Sequence, residues 1–199
     1  MRKTAIILVV TLLAISLTGI AQAGEKFDVD NVHSHIGFKV RHMGVSSVRG
    51  EFKEYTAELM VDESDLTNSS IVLEIDASSI DTDNQRRDDH LRSADFLEVE
   101  IYPEIVFKSR KIEKSPNGDY QATGDLTIHG ITKEVVLDLQ VAGPIKDPNG
   151  NHRVGVEGEV TINRQDYDVK FSRLMEGGEL VVADDVRISF ALEAMRKLE

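Results

Sequence analysis

The sequence predicts an all-β domain in which one antiparallel sheet closes on itself. Apolar and polar residues alternate with a period of two along most of the chain, which is typical of strands with one buried and one wet face. Turn-forming segments separate the alternating stretches, so neighbouring strands are expected to pair as an up-and-down meander. Two motifs, residues 87–91 and 126–133, fall between strands, and we interpret them as connectors rather than as an active site.

Nine segments carry the alternation, which corresponds to about eight or nine strands. In the first segment Ile36, Phe38 and Val40 share one face, which we take as the inward face. The nine segments are 36–41, 48–53, 55–61, 71–76, 105–108, 120–128, 135–141, 154–162 and 186–192.

Turns and one helix separate these segments. Residues 115–119 and 146–151 combine Pro, Asn, Gly and Asp, and they predict tight turns. Residues 84–93 contain helix formers, with Thr82, Asp83 or Asn84 as candidate N-cap, and they predict a short helix. Asp88 and Arg92 are four residues apart and are expected to pair on its surface. The stretch that ends at residues 176–178 is interpreted as a loop or short helix.

The first 23 residues have the features of a secretory signal peptide. Arg2 and Lys3 precede an apolar stretch that is too short for a membrane span, and small residues at 21–23 suit signal peptidase. Cleavage after Ala23 would leave 176 of the 199 residues, which suits a single domain over residues 24–199. We therefore expect an exported protein without an integral membrane segment after cleavage.

Charge and cysteine content exclude several function classes. The net charge is −12, and removal of Arg2 and Lys3 takes it to −14. No basic patch is evident, so nucleic acid is not expected as a partner, and an anionic membrane would repel the protein at long range. The chain contains no cysteine, which excludes disulfides, thiol catalysis and thiolate metal ligands.

Three glycines, Gly50, Gly124 and Gly158, fall on the inward face of their strands. Glycine in a strand is used where the sheet must bend or where another group approaches closely. The sequence leaves both explanations open, namely local curvature of a closing barrel and room for a ligand.

The most specific motif of the chain is GDLTIHG at residues 124–130, and a second is HSHIGFKVRH at residues 33–42. The first resembles a motif of the YceI-like family of exported polyisoprenoid-binding proteins, and the second is similar to the first-strand signature of that family. The resemblance extends over almost the whole of residues 24–199. Asp168 departs from the family pattern, which usually has glycine at this position, and we expect a changed turn there. The other similar segments are residues 48–52, 79–82, 87–91, 93–96, 102–109 and 163–167.

The resemblance implies an eight-stranded, lipocalin-like antiparallel barrel with an extended apolar pore. It also implies a long isoprenoid or similar amphiphile inside, such as an isoprenoid quinone, together with a periplasmic location and a homodimer. Only 6% of residues are aromatic, which favours a tunnel over a self-filled core. We predict the following ligand-binding residues from their parity, with His42 as a contact for a polar head group: Ile36, Phe38, Val40, His42, Phe52, Leu73, Ile75, Phe107, Leu126, Val160 and Phe190.

The polar motifs are interpreted as structural, and neither catalytic residues, a metal nor a cofactor is predicted. Arg87, Asp88 and His90 suggest a helix cap with a salt bridge, because no nucleophile motif accompanies them. His33 and His35 share a strand face, but a third metal ligand is not evident. Residues 129–130 predict a turn with positive φ at the glycine and a local hydrogen bond from the histidine.

The favoured function is therefore a non-enzymatic carrier or store of an isoprenoid lipid. Two alternatives stay open. An enzyme could act on an isoprenoid or amide lipid in the same pocket, in which case turnover would depend on His42 or His90. A filled barrel could instead serve as a structural or partner-binding protein, in which case no ligand would be extracted from it.

Overall fold

The sheet of this protein returns to its first strand. The computed structural model describes residues 24–178 and 180–197, so the predicted signal peptide lies outside the described residues. The elements are β1 (Glu25–Val29), β2 (His35–His42), β3 (Ser46–Phe52), β4 (Tyr55–Val61), β5 (Ser70–Asp76), β6 (Ile80–Asp81), α1 (Gln85–Arg92), β7 (Glu104–Lys114), β8 (Tyr120–Ile128), β9 (Ile131–Lys146), β10 (His152–Asn163) and β11 (Val182–Arg196).

These strands form eight barrel strands, because three of the eight are each broken into two pieces. β1 and β2 are the two pieces of the first barrel strand, and both pair with β11. β3 and β4 are the pieces of the second: β3 pairs with β2, and β4 pairs with β1. β5 and β6 are the pieces of the third: β5 pairs with β4, and β6 pairs with β3. β7 to β11 then follow in order, every pairing is antiparallel, and the β1–β11 pairing closes the ring. The predicted eight-stranded up-and-down barrel is confirmed, and the predicted segments 48–53 and 55–61 are two halves of one strand.

The inward face follows the predicted parity in each of the nine predicted strands. In β8, for example, Ala122, Leu126 and Ile128 are buried, whereas Gln121 is exposed. Two strands were not predicted, β1 and the two-residue β6. β1 buries Phe27 completely, but its neighbours Lys26 and Asp28 give too little apolar content for the pattern to stand out.

The connections divide into two ends. One end, named here the α1 end, carries the connections at residues 43–45, 82–103, 129–130 and 164–181. The other, the terminal end, carries residues 62–69, 115–119 and 147–151 together with the first and last described residues. Within the described residues no helix has the length and apolar character needed to cross a membrane.

The predicted helix is present as α1. Asn84 is its N-cap, and its side chain accepts a hydrogen bond from the Arg87 backbone N–H at 3.1 Å. The expected surface pair between Asp88 and Arg92 is wrong. Asp88 is buried against Thr82, while Arg92 donates to the backbone carbonyl of Ile80, because the helix lies flat on the barrel end.

Side chains fill the barrel at the terminal end. Phe27, Leu59 and Leu139 are almost completely buried there, and Ala122 and Ala194 have no exposed surface. Tight packing closes the barrel at the terminal end, so the space inside the barrel for another molecule lies mainly towards the α1 end.

Candidate ligand-binding cavity

An apolar cavity of about 170 Å³ occupies the half of the barrel towards the α1 end. Its walls come from strands on all sides, and its cover comes from the connections at 82–103 and 164–181. The lining is aliphatic and aromatic except for the guanidinium-bearing Arg164 and the phenol of Tyr167. A cavity of this kind stays dry, so its natural content is an apolar group.

The structure brings nine of the eleven predicted binding residues together on the wall of this cavity. These nine residues belong to β2, β3, β5, β7, β8 and β11, and all of them lie on the inward face of their strand. They are Ile36, Phe38, Val40, Phe52, Leu73, Ile75, Phe107, Leu126 and Phe190.

Two predicted residues lie outside the lining. Val160 is half-buried and packs against the core one residue beyond the last β9–β10 pair, Glu159–Asp138. His42 is half-buried at the end of β2, where the pairing with β11 shifts register between Val182 and Val186. Parity shows on which face of a strand a residue lies but not whether it borders the cavity: Ile162, two residues beyond Val160 on the same face of β10, does line it.

The three inward glycines each face a phenylalanine ring. A Cβ on Gly50 would lie 2.5 Å from Phe38, one on Gly124 would lie 2.7 Å from Phe107, and one on Gly158 would lie 2.7 Å from Phe190. Glycine leaves room for these rings, and at Gly124 and Gly158 a Cβ would also meet the backbone carbonyls of Lys108 and Asp138. Close approach of neighbouring groups thus accounts for the three glycines, and curvature of the barrel and room for a ligand stay predictions.

The residues that cover the cavity were not predicted from the sequence. Leu91 lines it from α1, Phe96 and Leu97 line it from the connection after α1, and Tyr167 and Val169 line it from the connection after β10. The signal for the first group was present as three large apolar residues within 91–97, a stretch too polar otherwise to be a strand.

An aromatic contact joins the two covering connections. The rings of Phe96 and Phe171 stack with centroids 4.8 Å apart, and the His90 ring meets both edge-on at 5.0 and 5.1 Å. His90 Nε2 also lies 2.7 Å from a carboxylate oxygen of Asp95. His90 therefore belongs to the cover, where its ring packs between the two connections.

Arg87 and Asp88 fasten α1 to the barrel. Asp88 is 5% exposed and accepts hydrogen bonds from the backbone N–H and the hydroxyl of Thr82, at 3.0 and 2.5 Å. Arg87 donates to the Thr82 hydroxyl and carbonyl, both at 2.7 Å. The motif thus makes local hydrogen bonds to Thr82, whereas the helix cap is Asn84 and the ion pair of His90 is with Asp95.

Arg164 holds the connection after β10 in a similar way. Its guanidinium is 5% exposed and donates to the carbonyls of Val169 and Ala183 and to the carboxylate of Asp184 at 2.6, 3.0 and 2.8 Å. Burial lowers the pKa of Arg164 from its ordinary value and raises the pKa of Tyr167 to about 12, so the Tyr167 phenol beside the cavity is uncharged.

The departure at Asp168 is explained by the backbone. Asp168 has a φ of 61°, a left-handed conformation in which glycine has the least strain and aspartate is tolerated. Its carboxylate pairs with Lys170, which lowers the pKa of Asp168. Asp168 thus adopts a conformation that glycine favours, and the expected change of the turn stays a prediction.

The turn between β8 and β9 consists of His129 and Gly130, with φ angles of 52° and 72°, and the predicted positive φ of the glycine is confirmed. The expected local hydrogen bond of His129 is wrong: within the described part of the chain, both of its ring nitrogens are buried without a hydrogen-bond partner. Instead the ring packs against Tyr102 at 4.3 Å, and Glu98 Oε2 lies 3.4 Å from Nε2.

The histidines near the start of the barrel have separate carboxylate partners. His33 Nδ1 lies 2.9 Å from Asp30, a hydrogen bond that raises the pKa of His33, and His35 Nδ1 lies 3.0 Å from Glu51. Asp30, His33 and Glu193 lie close enough to hold an ion. Arg153 pairs with both carboxylates of that group, however, so a cation would compete with its guanidinium.

A closed eight-stranded meander around an apolar cavity defines a lipocalin-like barrel. Within that class the chain belongs to the YceI-like family, whose model matches residues 27–194.

Relatives and solved structures agree with this assignment. A Pectobacterium atrosepticum UPF0312 protein is 33% identical over 197 residues, with 99% of each chain covered. The crystal structure of Burkholderia cenocepacia BcnA has a TM-score of 0.73 at 26% identity and covers 83% of this chain and 99% of its own. A polyisoprenoid binding domain from Saccharophagus degradans shares the fold, with a TM-score of 0.62 at 16% identity over 86% of this chain and 98% of its own.

Proposed function

We propose that this protein binds and carries a polyisoprenoid or similar long-chain amphiphile, such as an isoprenoid quinone, in the barrel lumen. The observation that carries the proposal is the apolar cavity at the α1 end, which aliphatic and aromatic side chains from nine strands surround. Support also comes from the fold shared with a domain from Saccharophagus degradans whose name states that it binds polyisoprenoids. The nine lining residues predicted from parity are the proposed contacts.

The size of the cavity decides how a long chain enters. Its volume of about 170 Å³ is close to that of an engineered cavity, roughly 150 Å³, that holds one benzene molecule. A second void of about 30 Å³ lies towards the terminal end, and Ile71 lines both voids. We infer that a long hydrocarbon chain first occupies the cavity at the α1 end. It reaches the second void, towards the terminal end, when Ile71 and its neighbours change rotamer.

The driving force is the removal of hydrocarbon from water. Each buried CH₂ contributes about 0.8 kcal/mol, or about fourfold in affinity. Affinity is therefore expected to rise steeply with chain length until the lumen is full, and then to level off. The length at which it levels off would measure the space that the ligand opens.

Native mass spectrometry of the purified protein, followed by solvent extraction and lipid identification, tests the proposal. A stoichiometric long-chain isoprenoid or quinone would support a carrier. An empty protein that also refuses a series of added prenols would refute it and favour the filled-barrel, partner-binding alternative.

A matched pair of variants tests the lumen itself. Val186 is a half-buried cavity-lining residue, whereas Val136 is 49% exposed on the outer face of β9. Val186→Asn places an amide among hydrocarbon and is expected to reduce ligand retention, while Val136→Asn is not. Equal retention by both variants, with thermal melts showing that both are folded, would contradict the assignment of Val186 to the binding wall.

We propose binding without chemistry. Arg87 and Asp88 bond to Thr82, and His90 packs in the cover, so the motif has a structural role that needs no reaction. Prolonged incubation with an isoprenoid lipid, followed by mass analysis, is expected to return it unchanged. A product whose formation stops in His90→Gln would overturn this part of the proposal.

We also propose export to the periplasm by cleavage after Ala23, and assembly as a homodimer. The leader sequence supports the first and the family resemblance the second. The mass of the protein released by osmotic shock is expected to match a chain that begins at Gly24, and light scattering is expected to give twice that mass. A retained leader or a monomer would refute the corresponding proposal.

A further inference from the structure

Strand pairing assembles a basic patch on the outside of this acidic barrel. Arg49 of β3 lies directly opposite Lys39 of β2, and Lys39 lies directly opposite Arg187 of β11. Arg41 follows two residues after Lys39 on the same face. We name Lys39, Arg41, Arg49 and Arg187 the basic patch. These residues are scattered in the sequence, and the expectation that there is no basic patch therefore does not hold for the folded chain.

The patch is exposed and mostly unpaired. All four side chains are exposed, and within residues 24–178 and 180–197 only Arg187 has an ion-pair partner, Glu159 at 3.4 Å. Like charges that face each other across neighbouring strands are about 5 Å apart and destabilise a sheet. The arrangement lowers stability, which indicates that the charges serve a partner rather than the fold.

Exposed apolar residues lie beside the patch at the α1 end. The turn between β2 and β3 presents Met43 and Val45, which are 40% and 83% exposed. Ile101 and Leu174, in two other connections of the same end, are 62% and 64% exposed. The hairpin β2–β3 thus has a basic outer face, an apolar tip and an inner face that lines the cavity.

We propose that this hairpin docks the α1 end of the barrel onto an anionic lipid bilayer. Basic side chains attract the headgroups, and the apolar tip enters the boundary between headgroups and acyl chains. A nucleic acid or acidic polymer would use the charges but not the tip, so the bilayer fits both features. The docked orientation turns the covered end of the cavity towards the membrane, from which an apolar ligand would come.

The overall negative charge does not prevent docking at short range. At physiological ionic strength the screening length is about 8 Å, so acidic groups on the far side of the barrel contribute little at the contact. Glu159 and Asp185 border the patch, and Glu51 beyond Arg49 is paired with His35 and Lys53. The outer face of the hairpin is therefore basic although the whole chain is acidic.

Vesicle cosedimentation tests the proposal. The probes are vesicles of phosphatidylethanolamine with phosphatidylglycerol and, separately, vesicles of phosphatidylcholine alone, with protein that begins at Gly24 and so contains every described strand. We expect binding to the anionic vesicles that weakens as salt rises. Neutralising Lys39, Arg41 and Arg49 to Gln is expected to reduce binding on the order of 100-fold, at about fivefold for each residue.

The matched control neutralises Lys108, Lys133 and Lys146 on the opposite wall of the barrel, which changes the net charge by the same amount. These three lysines are exposed and have no ion-pair partner among the described residues. It is expected to bind as the unchanged protein does. The Lys39, Arg41 and Arg49 triple variant is expected to melt at the same temperature or higher, because like-charge contacts are removed. Val45→Gln is expected to weaken the binding that persists at high salt, since it removes the apolar tip.

Three outcomes would overturn the proposal: equal loss of binding in both triple variants, equal binding to anionic and neutral vesicles, or capture by heparin with no binding to vesicles. The last would identify an acidic polymer as the partner. A protein that copurifies with ligand but ignores vesicles would refute docking and leave the proposed carrier function standing. If the Lys39, Arg41 and Arg49 triple variant still copurifies with ligand but no longer binds vesicles, docking on the membrane is separate from binding of the ligand, as proposed.

Discussion

The contact between Gly50 and the Phe38 ring gives a sharp test of how the lumen is kept open. In Gly50→Ala the new Cβ would lie 2.5 Å from Phe38 Cζ and 2.7 Å from Thr82 Cγ2. Carbon atoms in contact prefer about 3.5–4.0 Å, so the ring must move by about 1 Å or more. Because Phe38 lines the cavity, that movement is expected to push the ring into the lumen.

The size of the effect follows from two opposing terms. Overpacking of a core position costs about 1–3 kcal/mol, and replacing a strand glycine by alanine returns about 0.5–1 kcal/mol through lost backbone freedom in the unfolded chain. We therefore expect Gly50→Ala to lower the free energy of unfolding by about 0.5–2 kcal/mol, measured by urea denaturation. Ligand retention in native mass spectra is expected to fall in parallel.

Two controls isolate the contact. Gly155→Ala meets only Ala142, whose nearest atom lies at an ordinary 3.7 Å, and is expected to be neutral or slightly stabilising. In a Phe38→Leu background the ring is absent, so most of the cost of Gly50→Ala should disappear. If Gly50→Ala costs as much in the Phe38→Leu background as it does beside the phenylalanine, the glycine does not act by seating the ring, and the reasoning is refuted.

Three further predictions concern the groups that hold the connections. Asp88→Ala is expected to lower the free energy of unfolding by about 1–3 kcal/mol, because it removes the oxygen that accepts two hydrogen bonds from Thr82; no loss in urea denaturation would contradict this role. Arg164→Met leaves several buried carbonyls without a donor and is expected to cost on the order of 3 kcal/mol, and proteolysis is expected to cut the connection after β10 first. Hydrogen bonds, chiefly from Asn151, lower the pKa of Asp147 to about 2 from its ordinary 3.8. The unfolded chain therefore binds more protons than the folded chain between these values, so this stabilisation is complete above about pH 4 and is lost as the pH falls towards 2. Urea midpoints between about pH 2 and 5 are expected to depend less on pH in Asp147→Asn, and parallel curves would refute the assignment.

Period-two alternation was sufficient to predict which face of each strand is buried, as in Ala122, Leu126 and Ile128 of β8. The reason is local: successive side chains of a strand point to opposite faces, whatever the strand pairs with. The short helix and the turn at Gly130 were predictable for the same reason, because caps and positive φ depend on a few neighbouring residues.

Features that depend on pairing across the sheet were not predictable. The strand at Phe27 was missed because its charged neighbours conceal the pattern, and it is a strand because β4 and β11 offer it hydrogen-bonding edges. Val160 and His42 have the inward parity but do not line the cavity, because alternation shows which face a residue occupies and not which inward residues border the empty space.

By itself the sequence determined an acidic, cysteine-free chain and the two faces of each strand, because these properties are written in composition and local order. Only the tertiary structure decided that the terminal end is filled while the α1 end is hollow, that glycines seat the phenylalanine rings, and that Arg49, Lys39 and Arg187 meet in one row. Each of these facts joins residues that are distant along the chain, and only the closure and register of the barrel bring them into contact.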